Sequence, residues 1–125
     1  MNIENFKRVL DIIEEHPDKW DQTVWHCRTA HCLAGHCELL LAEVQPQVTE
    51  DIEKQVCLME KGLSTDEEYR KKDELVILTK ERARGFLEVS HYEADFLFDQ
   101  DRTLEDFQQV LDEGIDVAME EIEGS

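Results

Sequence analysis

Three His-Cys pairs stand within twelve consecutive residues of this chain, spaced five residues apart. The pairs are His26-Cys27, His31-Cys32 and His36-Cys37, and they hold three of the five histidines and three of the four cysteines. Imidazole and thiolate groups are the ligands that zinc and several softer transition metals prefer. These residue types therefore indicate metal binding or thiol chemistry.

The five-residue spacing does not direct all three pairs toward one ion. On an α-helix a step of five residues turns the side chain by about 140°, and the spacing matches no standard zinc signature. Residues four apart share a face, which joins Cys32 to His36, and joins Cys27 to His31 if the helix begins early. The candidate zinc set is therefore Cys27, His31, Cys32 and His36, whereas Cys37 falls on the apolar face as a small buried hydrophobe.

The same segment admits a redox interpretation. With Thr29 as the N-cap of a helix, Cys32 lies in the first turn, where the helix dipole favours the thiolate. Cys27 lies just upstream of it. The alternative is that both cysteines pack the entrance of a buried helix beside Trp25, because no Cys-x-x-Cys motif is present.

Other motifs of chemistry are missing from the sequence. It contains no GxSxG, no glycine-rich phosphate loop and no HExxH. The alternating oxygens from Asp99 to Glu105 lack the glycine of an EF-hand loop, because Leu104 stands at the sixth position. Carboxylates are so numerous that no pair of them identifies an acid and a base. We therefore expect a non-enzymatic protein.

Acidic residues dominate the C-terminal third. The formal net charge is −18, and residues 88 to 125 carry thirteen Asp or Glu and one basic residue, Arg102, a net charge of −12. Such a field repels phosphates, so direct nucleic-acid binding is not expected. It attracts a basic protein partner, or imitates DNA toward a DNA-binding protein, although the same charge also provides solubility.

The sequence predicts an all-α fold in one domain over residues 1–125, since 41% apolar residues are enough for a core. Apolar spacing from Ile3 to Ile13 predicts a first helix, capped by Asn2 and stopped before Pro17. A second helix, from Ala30 to about Val44, is apolar on nearly every side. It is therefore predicted to be the buried centre of a compact bundle of about five or six helices.

The remaining elements are predicted from caps and periodicity. A third helix covers about Thr49 to Lys61, and residues 64–74 read as an exposed loop or a short helix. Residues 75–78 fit either a short strand or the first turn of a helix, and Thr79 can start a short helix. Ser90 and Thr103 each begin a capping box, the second followed by one helix that reaches Ile122.

Two parts of the chain resemble a known group of proteins. The run Cys27-Arg28-Thr29-Ala30-His31-Cys32-Leu33-Ala34-Gly35 and the tail Thr103-Leu104-Glu105-Asp106-Phe107 are similar to a family of small uncharacterised bacterial and phage proteins. That family carries a Cys-x-Thr-x-x-Cys-x-Ala-Gly motif and a tail like Thr-Leu-x-Asp-Leu. The resemblance implies a compact helical domain in which the motif is a shared structural element, and it implies no activity.

Two functions from different classes follow as expectations. The leading one is a small acidic regulatory or interaction protein that binds a basic partner through its acidic C-terminal face. The alternative is a zinc-binding or thiol-redox protein centred on residues 26–37. The first residues lack a signal-peptide pattern and no apolar run approaches the length of a bilayer span, so we expect a cytoplasmic protein without membrane contact.

Overall fold

The computed structural model describes residues 1–124 and confirms the all-α fold. That range contains seven α-helices and one 3₁₀-helix. In chain order they are α1 (Ile3–Glu15), the 3₁₀-helix (Pro17–Lys19), α2 (Leu33–Ala42), α3 (Pro46–Lys61), α4 (Asp66–Leu87), α5 (His91–Leu97), α6 (Leu104–Glu113) and α7 (Ile115–Glu123). No helix within residues 1–124 combines the length and the apolar character that a bilayer crossing requires.

Helix α2 is the buried centre of the bundle, as predicted, but it starts later. It packs against α1, α3 and α4, and seven of its ten residues are buried. The predicted N-cap Thr29 is wrong, because Cys32 caps the helix and its Sγ accepts a hydrogen bond from the Gly35 N–H. Residues 30–32 are extended instead, since their backbone groups pair with residues 19–27 of the preceding loop.

Helix α4 corrects the prediction for the middle of the chain. For both segments the helical alternative is correct and the loop or strand is wrong, because one helix, longer than predicted, runs from Asp66 to Leu87. Its start is a capping box between Thr65 and Glu68. Thr79, predicted as a helix start, is buried in the middle of this helix. Only four residues of α4 are buried, namely Leu75, Thr79, Ala83 and Leu87. Because charged residues surround these positions, the helical periodicity of α4 is not visible in the sequence.

The other boundaries follow local chemistry. Helix α3 starts three residues before the predicted Thr49, because Pro46 occupies the first helical turn, where proline needs no N–H partner. The capping boxes at Ser90 and Thr103 are confirmed. The single last helix is wrong, because Gly114 has a φ of 93° and divides it into α6 and α7.

Two apolar clusters hold these helices together. The larger one joins α1, α2, α4, α5, α6 and α7, with Phe6 and Phe107 in edge-to-face contact at 6.3 Å between ring centroids. Trp20 and Trp25 are half-buried and pack against this cluster. The smaller cluster lies under α3 and contains the buried residues Val48, Ile52 and Val56.

Candidate functional site

The loop between the 3₁₀-helix and α2 positions the histidines. Its backbone folds on itself: the His31 N–H donates to the Lys19 carbonyl at 3.0 Å, and the Asp21 N–H donates to the His31 carbonyl at 3.0 Å. Gln22 fastens this loop to the bundle, because its amide donates to the Leu97 carbonyl and accepts from the Leu33 N–H. The backbone that carries the histidines is therefore fixed by the hydrogen bonds of His31 within the loop and by those of Gln22 to the bundle.

The structure brings His26, His31 and His36 into one cluster, although the five-residue spacing argued against a common site. The ring centroids of His26 and His31 lie 4.9 Å apart, and those of His31 and His36 lie 5.4 Å apart, both edge-to-face. Only His36 belongs to α2, while His26 and His31 lie on the extended loop. The 140° rotation per step therefore does not apply to this segment.

A buried carboxylate stands behind the histidines. Glu38 of α2 is 1% exposed, and its Oε1 lies 2.7 Å from Nε2 of His26. Oε1 also accepts a hydrogen bond from Thr79 at 2.8 Å, and Oε2 accepts one from Arg82 at 2.9 Å. Arg82 in turn donates to Asp51 at 2.7 Å. Helices α2, α3 and α4 and the loop thus share one polar network.

The charge state of Glu38 follows from these donors. Burial by itself would raise the pKa of this carboxyl, yet the hydrogen bonds from His26, Arg82 and Thr79 hold its pKa below the ordinary value. Glu38 is therefore ionised inside the core, with Arg82 as its fixed counter-charge.

The hydrogen bonds also define where the ring protons lie. A carboxylate only accepts, so Nε2 of His26 carries a proton. The Nδ1 atoms of His26 and His31 lie 2.8 Å apart and share one proton, because two lone pairs or two N–H groups would repel. Nε2 of His36 donates to the Lys19 carbonyl at 2.9 Å.

Two of these histidines resist protonation. Burial, together with neighbouring His26 and His36, lowers the pKa of His31 to about 4. Burial lowers the pKa of His36 as well. Both rings are therefore neutral near pH 7.

A cleft of about 600 Å³ opens beside the rings of His31 and His36, and we call it the histidine cleft. Its apolar wall consists of Ile12, Leu39 and Leu40. His16, which the sequence indicated only as the end of the first helix, also lines the cleft, as do Lys19 and Arg28. This volume lies within the range of ligand pockets.

The four predicted zinc ligands do not share one arrangement. His31 and His36 are neighbours, whereas Sγ of Cys27 accepts a hydrogen bond from the Ala30 N–H at 3.1 Å and Cys32 caps α2. Within residues 1–124, no group of three or more His, Cys, Asp or Glu side chains is arranged to hold a metal ion. Zinc binding by this chain stays a prediction.

The cysteines favour a structural interpretation. All four are free, and Cys32 and Cys37 are buried. Burial raises the pKa of Cys32 to about 11, which outweighs the helix N-terminus, so the structure does not support an activated thiolate there. For Cys27, burial works in the same direction, but hydrogen bonds from Thr29 and Ala30 lower its pKa overall.

Sequence reasoning missed Glu38, Thr79 and Arg82. One signal was available, because Glu38 is the single acidic residue in the otherwise apolar segment from Leu33 to Ala42. A charge inside a buried helix needs a partner, and the partners on α4 lie more than forty positions further along the chain. Periodicity gives no information about such distant pairs.

No known family model, no curated protein and no solved structure matches this chain. The resemblance to small bacterial and phage proteins with the Cys-x-Thr-x-x-Cys-x-Ala-Gly motif therefore stays a prediction.

Proposed function

We propose that this chain is a small acidic interaction protein that binds a basic segment of a partner protein. The binding surface is a groove between α5 and α7, which we call the acidic groove. Its volume is about 770 Å³, and Glu93, Asp116, Glu120 and Glu123 line it. The single observation that carries the proposal is this set of four carboxylates, with no basic side chain among the described lining residues.

The groove also offers an aromatic surface. Tyr92 lines it and is 71% exposed, and the buried side chain of Met119 lies at its floor. A lysine or arginine of a partner can lay its aliphatic stem on such a surface and its charge among the carboxylates. The chemistry of the groove therefore fits a basic peptide segment.

Charge crowding between α6 and α7 supports binding of a basic partner to the C-terminal region. A hydrogen bond and charge repulsion from Glu113 raise the pKa of Glu121, which lies on α7 next to Glu120. A raised pKa indicates carboxylates that lack enough nearby positive charge. A basic partner would relieve this repulsion, which makes association favourable.

The experiment titrates a fluorescent lysine-rich peptide into the protein at 50 and 300 mM NaCl. The test variant is Glu120→Gln/Glu123→Gln, and the matched control is Glu50→Gln/Glu53→Gln on the exposed side of α3. Both variants remove two charges at the same spacing. Binding should weaken about fivefold in the groove variant and remain near wild type in the control, since exposed ion pairs contribute about 0.2–1 kcal/mol each.

The NaCl concentration is the second variable of this experiment. Binding to the wild type should fall at 300 mM NaCl because exposed charges are screened. An equal loss of affinity in both variants would mean that the peptide responds only to net charge, and the proposed groove would be wrong.

A further inference from the structure

Independently of partner binding, we propose that His31, His26 and Glu38 form a proton relay that opens into the histidine cleft. In this relay Nε2 of His31 is the general base. It acts on an O–H or N–H group of a small amphipathic molecule bound in the cleft. His26 and Glu38 are positioning residues that take up the resulting charge.

The geometry leaves one nitrogen of His31 for the cleft. Its Nδ1 is turned inward, 2.8 Å from Nδ1 of His26, whose side chain is fully buried. Nε2 lies on the opposite edge of the His31 ring, and this ring lines the histidine cleft. When the pair is neutral, His31 donates its Nδ1 proton to His26 and Nε2 carries a lone pair.

Proton transfer through the pair is balanced at every atom. Nε2 of His31 takes a proton from the bound molecule, which is left as an anion, and the Nδ1 proton of His31 passes to Nδ1 of His26. His26 then holds both ring protons and the positive charge, 2.7 Å from Oε1 of Glu38. The reverse path returns the proton to the molecule.

The buried charges favour this inward movement. Glu38 and Asp51 are two carboxylates that share one guanidinium, Arg82, so the network has a formal charge of −1. A proton on His26 brings the network to neutrality. A second proton on His31 itself is disfavoured, because burial and the nearby histidines lower the pKa of this ring.

The other ionisable groups around the pair do not change this balance. His36 and Cys32 face it from α2, Arg82 from α4 and Asp51 from α3, while Lys19 contributes its backbone carbonyl. The lowered pKa of His36 and the raised pKa of Cys32 keep both groups neutral. The buried fixed charges beside the relay are therefore those of Glu38, Arg82 and Asp51. The side chains of Asp18, Lys19, Arg28 and Glu43 line the cleft itself.

The cleft defines the class of molecule. Ile12, Leu39 and Leu40 form an apolar wall opposite polar and charged groups that include Lys19 and Arg28. A small molecule with an apolar body and one ionisable proton satisfies both sides of this cavity.

The first test uses nitrogen-15 NMR of the wild-type imidazole rings from pH 9 to pH 5. The relay predicts one coupled step, in which Nε2 of His31 gains a proton while His26 becomes doubly protonated. Double protonation of His31 before His26, or a His31 ring that keeps the same tautomer throughout, would overturn it. This measurement needs no variant.

The second test uses diethyl pyrocarbonate, which forms an N–C bond with an imidazole lone pair and releases carbon dioxide and ethanol. Acylation at Nε2 of His31 displaces the Nδ1 proton toward His26, so the relay should accelerate it. Mass spectrometry measures the rate at His31 relative to the exposed His91 of the same molecule.

Two variants test whether the base at His31 depends on the negative charge of Glu38 or only on its shape. Glu38→Gln keeps an oxygen that can accept from His26 but removes the negative charge, and it should slow acylation of His31 at least severalfold relative to His91. Glu50→Gln makes the same change at an exposed position of α3 outside the relay and the cleft, and it should not slow the reaction. If folded Glu38→Gln reacts at the wild-type ratio, Glu38 does not support the base and the relay is wrong; if that variant does not fold, the NMR result decides.

Discussion

Gly35 sets how closely the histidine segment approaches α2. A Cβ atom at this position would lie 2.1 Å from the Trp25 carbonyl oxygen and 3.0 Å from Cβ of His31. The carbonyl belongs to the backbone and cannot rotate away. The Trp25 carbonyl is therefore the group that requires a glycine at this position of α2.

We therefore expect Gly35→Ala to destabilise the protein by about 1–3 kcal/mol through overpacking. The matched control is Gly85→Ala in α4, where an added Cβ meets nothing within 4 Å. This control should be neutral or stabilise by up to about 1 kcal/mol, because alanine favours the helix. Urea denaturation measures both, and equal stability of the two variants would show that the Trp25 contact is not tight.

The residue types predicted which segment contains interacting polar side chains, but they did not predict which side chains contact each other. The His/Cys segment was a correct place to look for polar side chains in contact, because His26, His31 and His36 do form a cluster. Glu38, the partner of His26, is distinguished in the sequence only as the one acidic residue of the segment from Leu33 to Ala42. Its contacts with His26, Thr79 and Arg82 are visible only in the folded geometry.

At the level of the helices, local signals placed several boundaries. Caps at Asn2, Ser90 and Thr103 predicted the starts of α1, α5 and α6, and Pro17 predicted the end of α1. The failures occurred where tertiary contacts override local preference. Residues 30–32 leave the helix to pair with the loop, and α4 buries too narrow a stripe for its period to be visible.

The start of α4 offers a test at this scale. Thr65→Ala removes the side chain that accepts from the Glu68 N–H at 3.1 Å, and it should cost about 1 kcal/mol. Thr49→Ala, at an exposed position inside α3, is the control and should be neutral or slightly stabilising. Thermal melting compares them. A Thr65→Ala variant that melts with the control would argue that α4 does not begin at this cap.

For the molecule as a whole, pH reports on the histidine cluster. The pKa of His31 is about 4 in the folded chain and about 6.5 in an unfolded one. Between these values the unfolded state binds more protons, so stability falls as the pH drops from about 6.5 to about 4. Above pH 6.5 this contribution is fully present, and below pH 4 it does not decrease further.

His31→Gln should lose this part of the pH dependence. The difference in unfolding free energy between the wild type and this variant is therefore expected to shrink as the pH falls from 7 to 4. Urea denaturation at several pH values measures it. A difference that stays constant over this range would mean that His31 titrates alike in the folded and unfolded chains.

Charged side chains are arranged differently in the interior and at the C-terminal end of the protein. In the interior, Glu38 and Asp51 are matched with Arg82, and each carboxylate has a defined donor. At the C-terminal end, thirteen acids meet one basic residue, and the crowding beside Glu121 remains uncompensated. The first arrangement stabilises the fold, and the second is the surface that we propose for partner binding.

The most direct test of this account is the stability of Glu38→Gln beside that of Glu60→Gln. Each variant removes the carboxylate partner of an arginine, but Glu38 is buried and the Arg28–Glu60 pair is exposed. Glu38→Gln should lose about 1–3 kcal/mol, because His26, Thr79 and Arg82 lose a charged buried acceptor while Arg82 keeps its pair with Asp51, whereas Glu60→Gln should change little. If both variants unfold at the wild-type urea concentration, the buried network does not hold α2 at the centre of the fold.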